Sequence, residues 1–96
     1  MLEHIVLFKP KPETTEDQEK QLVQRLMDLA EHIPQIVQIS AGKSLTVRSK
    51  GYTVGLVVRF NNEADLNIYR VHPKHQEVVE EVKKLCEDTL ALDYIF

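Results

Sequence analysis

The alternation of apolar and polar positions predicts that the chain opens with a strand and closes with one. The first strand, Leu2–Lys9, is dense in β-forming residues and runs into a proline-rich segment where no regular element can continue. Alternation gives it two apolar faces, one with His4, Val6 and Phe8 and the other with Ile5 and Leu7. We therefore expect both faces to be covered in the folded protein.

A helix and two strands follow. The helix begins at a capping box formed by Thr15 and Gln18 and ends at Pro34. Its apolar residues recur at helical spacing, namely Leu22, Leu26, Leu29 and Ile33. The strands are predicted over Ile36–Lys43 and Thr53–Phe60, on either side of a polar, mildly basic loop.

Proline 73 breaks the helical segment that comes next. It has no N–H for the carbonyl of Tyr69, its ring clashes with that carbonyl, and it pushes His72 out of helical geometry. One helix should therefore begin at Asn61-Asn62 and stop near residues 69–71, and another should restart near residues 74–75.

The spacing of apolar residues predicts one buried side for each half of the broken helix. The first half has Ala64, Ile68 and Val71, and the second has Val78, Val79, Val82, Leu85, Cys86 and Leu90. A short strand over residues 91–96 completes the chain. This order predicts an α+β protein with the ferredoxin-like split βαβ arrangement, β-α-β-β-α-β, and a four-stranded antiparallel sheet.

One face of such a sheet is covered by helices and the other is open. An open face with Ile5, Leu7 and Val57 would be a larger apolar patch than monomers usually expose. The simplest remedy is a two-fold homodimer that buries both open faces.

Composition narrows the class of protein. With 96 residues, 43% apolar and 28% charged, the chain reads as one globular domain, residues 1–96. A net charge of −3 and few aromatic residues argue against a nucleic-acid partner. No apolar run approaches the ~20 residues of a membrane helix. The single cysteine, Cys86, suits packing in a reducing compartment, so the cytoplasm is the expected location.

The candidate catalytic residues lie around the break at Pro73. In the first turn of the last helix, His75 should be a neutral imidazole because the helix dipole disfavours its cation. Such a base beside the Tyr69 hydroxyl could deprotonate a carbon acid while the hydroxyl donates to the oxyanion. His72, at the end of the preceding helix, should be favoured as a cation and act as an acid. The alternative, which we favour from sequence, is that these side chains only satisfy backbone groups freed by the proline.

Several stretches together resemble the stress-responsive dimeric α/β barrel (Dabb) family. They are residues 3–9 (EHIVLFK), Ile33-Pro34, Gly51-Tyr52, Tyr69 with His72-Pro73-Lys74-His75, and Asp93-Tyr94. The resemblance implies a homodimer whose two sheets form a barrel. A plant polyketide cyclase of this family works without a cofactor, and its catalytic tyrosine and histidine match Tyr69 and His75, with a pocket histidine at His4. At the position of a further pocket histidine of that cyclase, this chain has Val54. At the positions of the aromatic residues that the cyclase's first helix sends into the pocket, this chain has Leu22, Val23 and Leu26. The resemblance therefore does not imply the same substrate.

In the family topology the first and last strands pair, which would bring Asp93 close to His4. That pair could orient the imidazole or simply compensate a buried polar group. A metal site from His72, His75 and His4 or Asp93 is disfavoured, because zinc needs three or four convergent ligands and the proline break separates them. We expect no metal and no cofactor.

The resulting hypothesis is a cavity between helices and sheet that binds a small, partly apolar molecule. Its lining and ligand contacts are predicted to be His4, Val6, Val54, Leu56, Tyr69, His72, His75 and Asp93. Two further hypotheses stay open. One is a cofactor-free cyclase or lyase with His75 as general base and Tyr69 as hydrogen-bond donor. The other is an interaction module whose only activity is dimerisation.

Overall fold

The computed structural model describes residues 1–96 and contains one sheet with helices on one of its faces. The elements in chain order are β1 (Leu2–Pro10), α1 (Glu16–Asp28), β2 (Gln38–Lys43), β3 (Val54–Phe60), α2 (Glu63–Val71), α3 (Pro73–Leu85) and β4 (Cys86–Ile95). Short 3₁₀ turns cover Leu29–Glu31 and Val47–Ser49. This is the predicted ferredoxin-like fold.

The sheet has the strand order β2-β3-β1-β4, with all neighbours antiparallel. β1 is central beside β3, so its residues pair on both sides: Ile5, for example, lies opposite Val57 and opposite Leu92. β2 and β4 each have one free edge. Alternation along β1 and β3 decides which side chains meet the helices, because successive residues point to opposite faces.

The core forms where the inward sheet face meets the helices. β3 contributes Val54, Leu56, Val58 and Phe60, and α1 with its following turn contributes Leu22, Leu26, Leu29 and Ile33, all of them buried. The α1 start is fixed by the predicted capping box, in which Gln18 N donates to Thr15 Oγ1 at 3.2 Å and Thr15 N donates to Gln18 Oε1 at 2.9 Å. The apolar pattern of α1 and β3 was therefore sufficient to place the core.

The break at Pro73 is confirmed. α2 ends at Val71, His72 has extended backbone angles (φ −65°, ψ 135°), and Pro73 occupies the first position of α3. That position suits proline, since its N–H would have had no partner inside the helix.

Two predicted features are wrong. The last helix does not continue to Leu90: it ends at Leu85, and β4 begins at Cys86, which pairs with Pro10. Leu90 follows the two-residue alternation of a strand together with Leu92 and Tyr94. Because it also lies four residues after Cys86, its spacing fits the period of a helix as well.

The apolar line predicted for α2 is also wrong. Ala64, Ile68 and Val71 do not form its buried side, and the buried residues are Leu66 and Tyr69. α2 carries apolar side chains on both sides, and the larger ring of Tyr69 takes the inward position. None of the helices has the length and apolar content needed to cross a membrane.

The outward face of the sheet is open, as expected. It presents Ile5 and Leu7 of β1, Val57 of β3, and Leu90, Leu92 and Tyr94 of β4, and Leu92 is 61% exposed. We name these six residues the open face.

Truncating the two apolar sides of α2 should distinguish them. Leu66→Ala removes a side chain that is 2% exposed and should lower the free energy of unfolding by about 2–4 kcal/mol. Ile68→Ala, at a position 43% exposed, should cost less than about 1 kcal/mol. Urea unfolding of both variants measures the difference, and equal losses would contradict the orientation of α2.

Candidate functional site

A cavity of about 540 Å³ lies between the inward sheet face and the helices. β1 lines it along its length with His4, Val6 and Phe8. Tyr69, His75 and Asp93 gather around His4, whereas Leu26, Val82 and Cys86 line the apolar part with Phe8. The lining thus has polar groups around His4 and an apolar stretch along Val6 and Phe8, and further polar groups follow beyond Phe8, namely Lys83, Glu87, Asp88 and Thr89.

Tyr69 is held at the polar end by the core. Its ring is 1% exposed, with its centroid 5.1 Å from that of Phe60 and 5.8 Å from that of His4. The buried hydroxyl has no hydrogen-bond partner. Burial raises the pKa of Tyr69 far above its ordinary value, so the hydroxyl keeps its proton and can donate a hydrogen bond to a bound molecule. A buried polar group without a partner costs free energy, about 1–3 kcal/mol.

His75 lies next to Tyr69, with the ring centroids 4.3 Å apart. It is the third residue of α3, in the first turn as predicted. Its Nδ1 is 3.1 Å from the carbonyl oxygen of Arg70. A carbonyl can only accept, so Nδ1 carries the proton and Nε2 of the neutral ring keeps its lone pair.

The electrostatics around His75 favour the neutral ring. Burial, the largest cause, lowers the pKa of His75 below its ordinary value of 6.5, and the hydrogen bond to the Arg70 carbonyl opposes this. His4, Arg70 and His72 lower it further. The helix dipole predicted the same direction from sequence, but desolvation is the leading cause.

His4 belongs to a second polar contact across the sheet. It lies opposite Asp93 in the β1–β4 register, and its Nδ1 is 2.5 Å from Asp93 Oδ1. Asp93 Oδ2 also accepts from Arg70 Nη2 at 3.1 Å. The carboxylate therefore bridges a buried imidazole and a half-exposed guanidinium, and it fixes the ring of His4 at the cavity wall.

Two of the predicted site residues lie elsewhere. Val54 is 1% exposed within the core and does not line the cavity. His72 also lies outside the lining, because its Nδ1 accepts from Lys74 N at 3.1 Å and so caps α3. The His72 ring thus contacts the backbone at the start of α3, and the structure does not bring it to the cavity where the sequence analysis placed it.

Arg70 was missed by the sequence analysis. Its carbonyl accepts from His75, and also from Gln76 Nε2 at 2.6 Å, while its side chain holds Asp93. A signal was present, because the last carbonyls of a helix that a proline breaks have no intrahelical partners. Arg70 lies in that turn.

The remaining candidate groups do not form a site. No three His, Cys, Asp or Glu side chains converge in a way that could hold a metal ion. Cys86 is 8% exposed, and burial raises the pKa of its thiol, so the thiol form predominates.

The protein has the ferredoxin-like α+β fold, with helices on one face of a four-stranded antiparallel sheet and a cavity between the two layers. Comparison with known proteins gives its family. The chain belongs to the stress-responsive A/B barrel domain family, whose model matches residues 2–96.

Curated relatives include two Arabidopsis thaliana proteins and a Cannabis sativa enzyme. Both Arabidopsis relatives are stress-response A/B barrel domain-containing proteins, one of them 34% identical over 97 residues and the other 29% identical over 99 residues. Each match covers 99% of this chain but only 36% and 47%, respectively, of the relative, so the chain spans less than half of their length. Olivetolic acid cyclase is 28% identical over 95 residues, which cover 97% of this chain and 94% of that enzyme.

Solved structures share the fold. The hydroxynitrile lyase of Passiflora edulis superposes with a TM-score of 0.89 at 24% identity, covering 99% of this chain and 92% of that one. A dimeric ferredoxin-like protein of unknown function from Jannaschia sp. CCS1 superposes with a TM-score of 0.83 at 26% identity, covering 99% and 98%.

The lowered pKa of His75 predicts a pH-dependent stability. The folded state binds fewer protons at this ring than the unfolded state does, so its contribution is complete above the ordinary pKa and is lost as pH falls through the folded pKa. Wild type should therefore lose stability relative to His75→Gln from about pH 7.5 to about pH 5. Urea unfolding at several pH values tests this, and a difference that does not change with pH would contradict it.

Removing the unpartnered hydroxyl should not destabilise the protein. Tyr69→Phe deletes a buried group that makes no hydrogen bond, so the free energy of unfolding should stay equal or rise by up to about 1–2 kcal/mol. Thermal unfolding measures it. A clear loss of stability would mean that the hydroxyl has a partner in the folded protein.

Proposed function

We propose that this protein is a homodimeric A/B barrel protein that binds a small, partly apolar molecule in the cavity between its helices and sheet. The observation that carries the proposal is that Tyr69, a residue of the cavity lining beside His75, has a buried hydroxyl without a partner within the protein. Buried polar groups are normally paired, so a ligand is the natural acceptor for this hydroxyl.

The chemistry of the polar end defines the class of ligand. Tyr69 offers a donor, and the Nε2 of neutral His75 offers an acceptor. A ligand that carries a carbonyl or a phenolic hydroxyl would satisfy one or both of these groups. The apolar stretch of the lining, with Val6, Phe8 and Leu26, would receive the hydrocarbon part.

Calorimetric titration with 4-propylphenol and acetophenone tests the ligand class. Tyr69→Phe removes the donor, and His75→Phe removes the acceptor. A hydrogen bond is worth about 0.5–1.5 kcal/mol, so affinity should fall by up to about tenfold for each. His32→Phe is a matched control, because His32 is exposed and does not line the cavity. Binding that is absent in wild type, or equal in all four proteins, would contradict the proposal.

The homodimer is supported by the open face. Its apolar residues lie side by side on three adjacent strands, and monomers rarely expose a contiguous apolar surface of that kind. The Jannaschia protein with the same fold is described as dimeric. Two open faces packed together would form the barrel.

The cytoplasm is the proposed location, on the ground that a lone, buried thiol suits a reducing compartment.

Sedimentation equilibrium tests the dimer directly. Wild type should sediment at twice the 11.1 kDa of the chain at micromolar concentration. Leu92→Lys places a charge in the open face, where burial would be costly, and should give a monomer. A monomeric wild type would contradict the barrel.

A second candidate is a cofactor-free cyclase or lyase. It is favoured because two complementary groups lie side by side. The neutral imidazole of His75 has a free nitrogen that can accept a proton, and the hydroxyl of Tyr69 keeps its proton. His75 would take a proton from a carbon acid, and Tyr69 would donate a hydrogen bond to the oxyanion that forms. A cyclase and a lyase are among the proteins that the chain resembles. The third hypothesis, an interaction module alone, is disfavoured because it would leave the cavity and the unpartnered hydroxyl without a role.

A further inference from the structure

A second hollow lies beside the cavity, between α2 and the end of β4. Its volume is about 360 Å³, and its apolar lining includes Leu2, Leu66 and Ile95. Leu2 and Leu66 belong to the buried core, whereas Ile95 is 72% exposed. We name this space the outer hollow.

Sheet register shows how the cavity and the outer hollow follow one another. Along β1, the inward residues Val6, His4 and Leu2 succeed each other at steps of about 7 Å. Val6 and His4 line the cavity, and Leu2 lines the outer hollow. On β4, Asp93 lies opposite His4 and Ile95 lies opposite Leu2. Apolar surface is therefore present on both sides of the polar row formed by His4 and Asp93.

Arg70 and Asp93 separate the two spaces. They are the only residues that line both the cavity and the outer hollow, and Arg70 Nη2 donates to Asp93 Oδ2 at 3.1 Å. The guanidinium is also held from its own helix, because Arg70 Nη1 donates to Asn67 Oδ1 at 3.3 Å. Asp93 in turn contacts His4 through its other oxygen. Polar contacts thus run from α2 across β4 to β1, between the two apolar regions.

The separation depends on the side chain of Arg70 and not on its backbone. The Arg70 carbonyl accepts from His75 and from Gln76, and these contacts would remain after the side chain is shortened. The side chain is 50% exposed, and ion pairs of exposed groups contribute little to stability. Replacing Arg70 by alanine should therefore join the cavity to the outer hollow without unfolding the protein.

We propose that Arg70 is a specificity-determining residue of the cavity: its ion pair with Asp93 admits a ligand with one hydrocarbon arm and excludes a second arm on the far side of the ligand's oxygen. The inference rests on the proposed ligand binding at Tyr69 and His75 and refines its ligand class. The accepted molecules carry their carbonyl or phenolic oxygen at one end. A ketone with hydrocarbon on both sides would need the space that Arg70 closes.

Calorimetric titration with two phenyl ketones tests this limit. Hexanophenone extends the methyl group of acetophenone to a pentyl chain, and each buried methylene is worth about fourfold in affinity. Wild type should bind the two ketones with affinities within about threefold of each other. Arg70→Ala should bind hexanophenone at least about tenfold more tightly than acetophenone, because the pentyl chain can then enter the outer hollow.

A second substitution shows where the pentyl chain lies. Combined with Arg70→Ala, Ile95→Ser should weaken hexanophenone binding about three- to tenfold, because it removes apolar surface from the outer hollow. The same substitution alone should leave both affinities of wild type within about twofold. Both positions are at least half exposed, so circular dichroism should show that all variants keep their fold.

Arg25→Ala is the matched control. Arg25 is a 44% exposed arginine with a single ion pair, to Glu81, and it lines neither the cavity nor the outer hollow. Its replacement should leave the ratio of the two affinities unchanged. The inference is overturned, and ligand binding retained, if Arg70→Ala has the wild-type ratio or if its gain is insensitive to Ile95→Ser. A wild type that binds neither ketone would overturn the proposed function and this inference together.

Discussion

The missing N–H of Pro73 is the constraint on which the candidate site depends. A continuous helix over residues 63–85 would use the carbonyl of Arg70 in its own hydrogen-bond ladder. Because the ladder is interrupted, that carbonyl is free to accept from His75 and Gln76, and His72 turns into an extended conformation that caps α3. The orientation and the tautomer of His75 thus follow from a backbone defect, which places its ring against Tyr69.

The opposite wall of the site depends on sheet register. His4 and Asp93 lie far apart in the sequence but are direct neighbours across β1 and β4, and a shift of one residue would send either side chain to the open face. Arg70 joins the two walls, since its carbonyl contacts His75 and its guanidinium contacts Asp93. The polar end of the cavity is therefore held by one network that spans a helix end and a sheet edge. Beside it, the Tyr69 hydroxyl is left without a partner, which costs free energy in the folded protein.

Local patterns in the sequence predicted most of the fold. The capping box, the alternation of β3 and the proline break each depend on neighbouring residues, and each was confirmed. Predictions failed where two periods fit the same residues: Leu90 suited a helix as well as a strand, and α2 offered two apolar sides. The roles of Val54 and His72 could not be read locally either. Whether Val54 reaches a cavity depends on the packing around it, and whether His72 faces that cavity depends on the backbone N–H that its ring contacts.

The open face and the cavity lie on opposite sides of the same sheet, so the proposed dimer contact and the proposed ligand would use different surfaces. The central claim is that Tyr69 and His75 present a donor and an acceptor to a molecule inside the cavity. Crystals soaked with a small phenol or ketone test it most directly. We predict density for the ligand between the Tyr69 hydroxyl and Nε2 of His75, with its oxygen within hydrogen-bond distance of at least one of them. A cavity that stays free of the soaked molecule, or a ligand bound with its oxygen turned away from both rings, would contradict the claim.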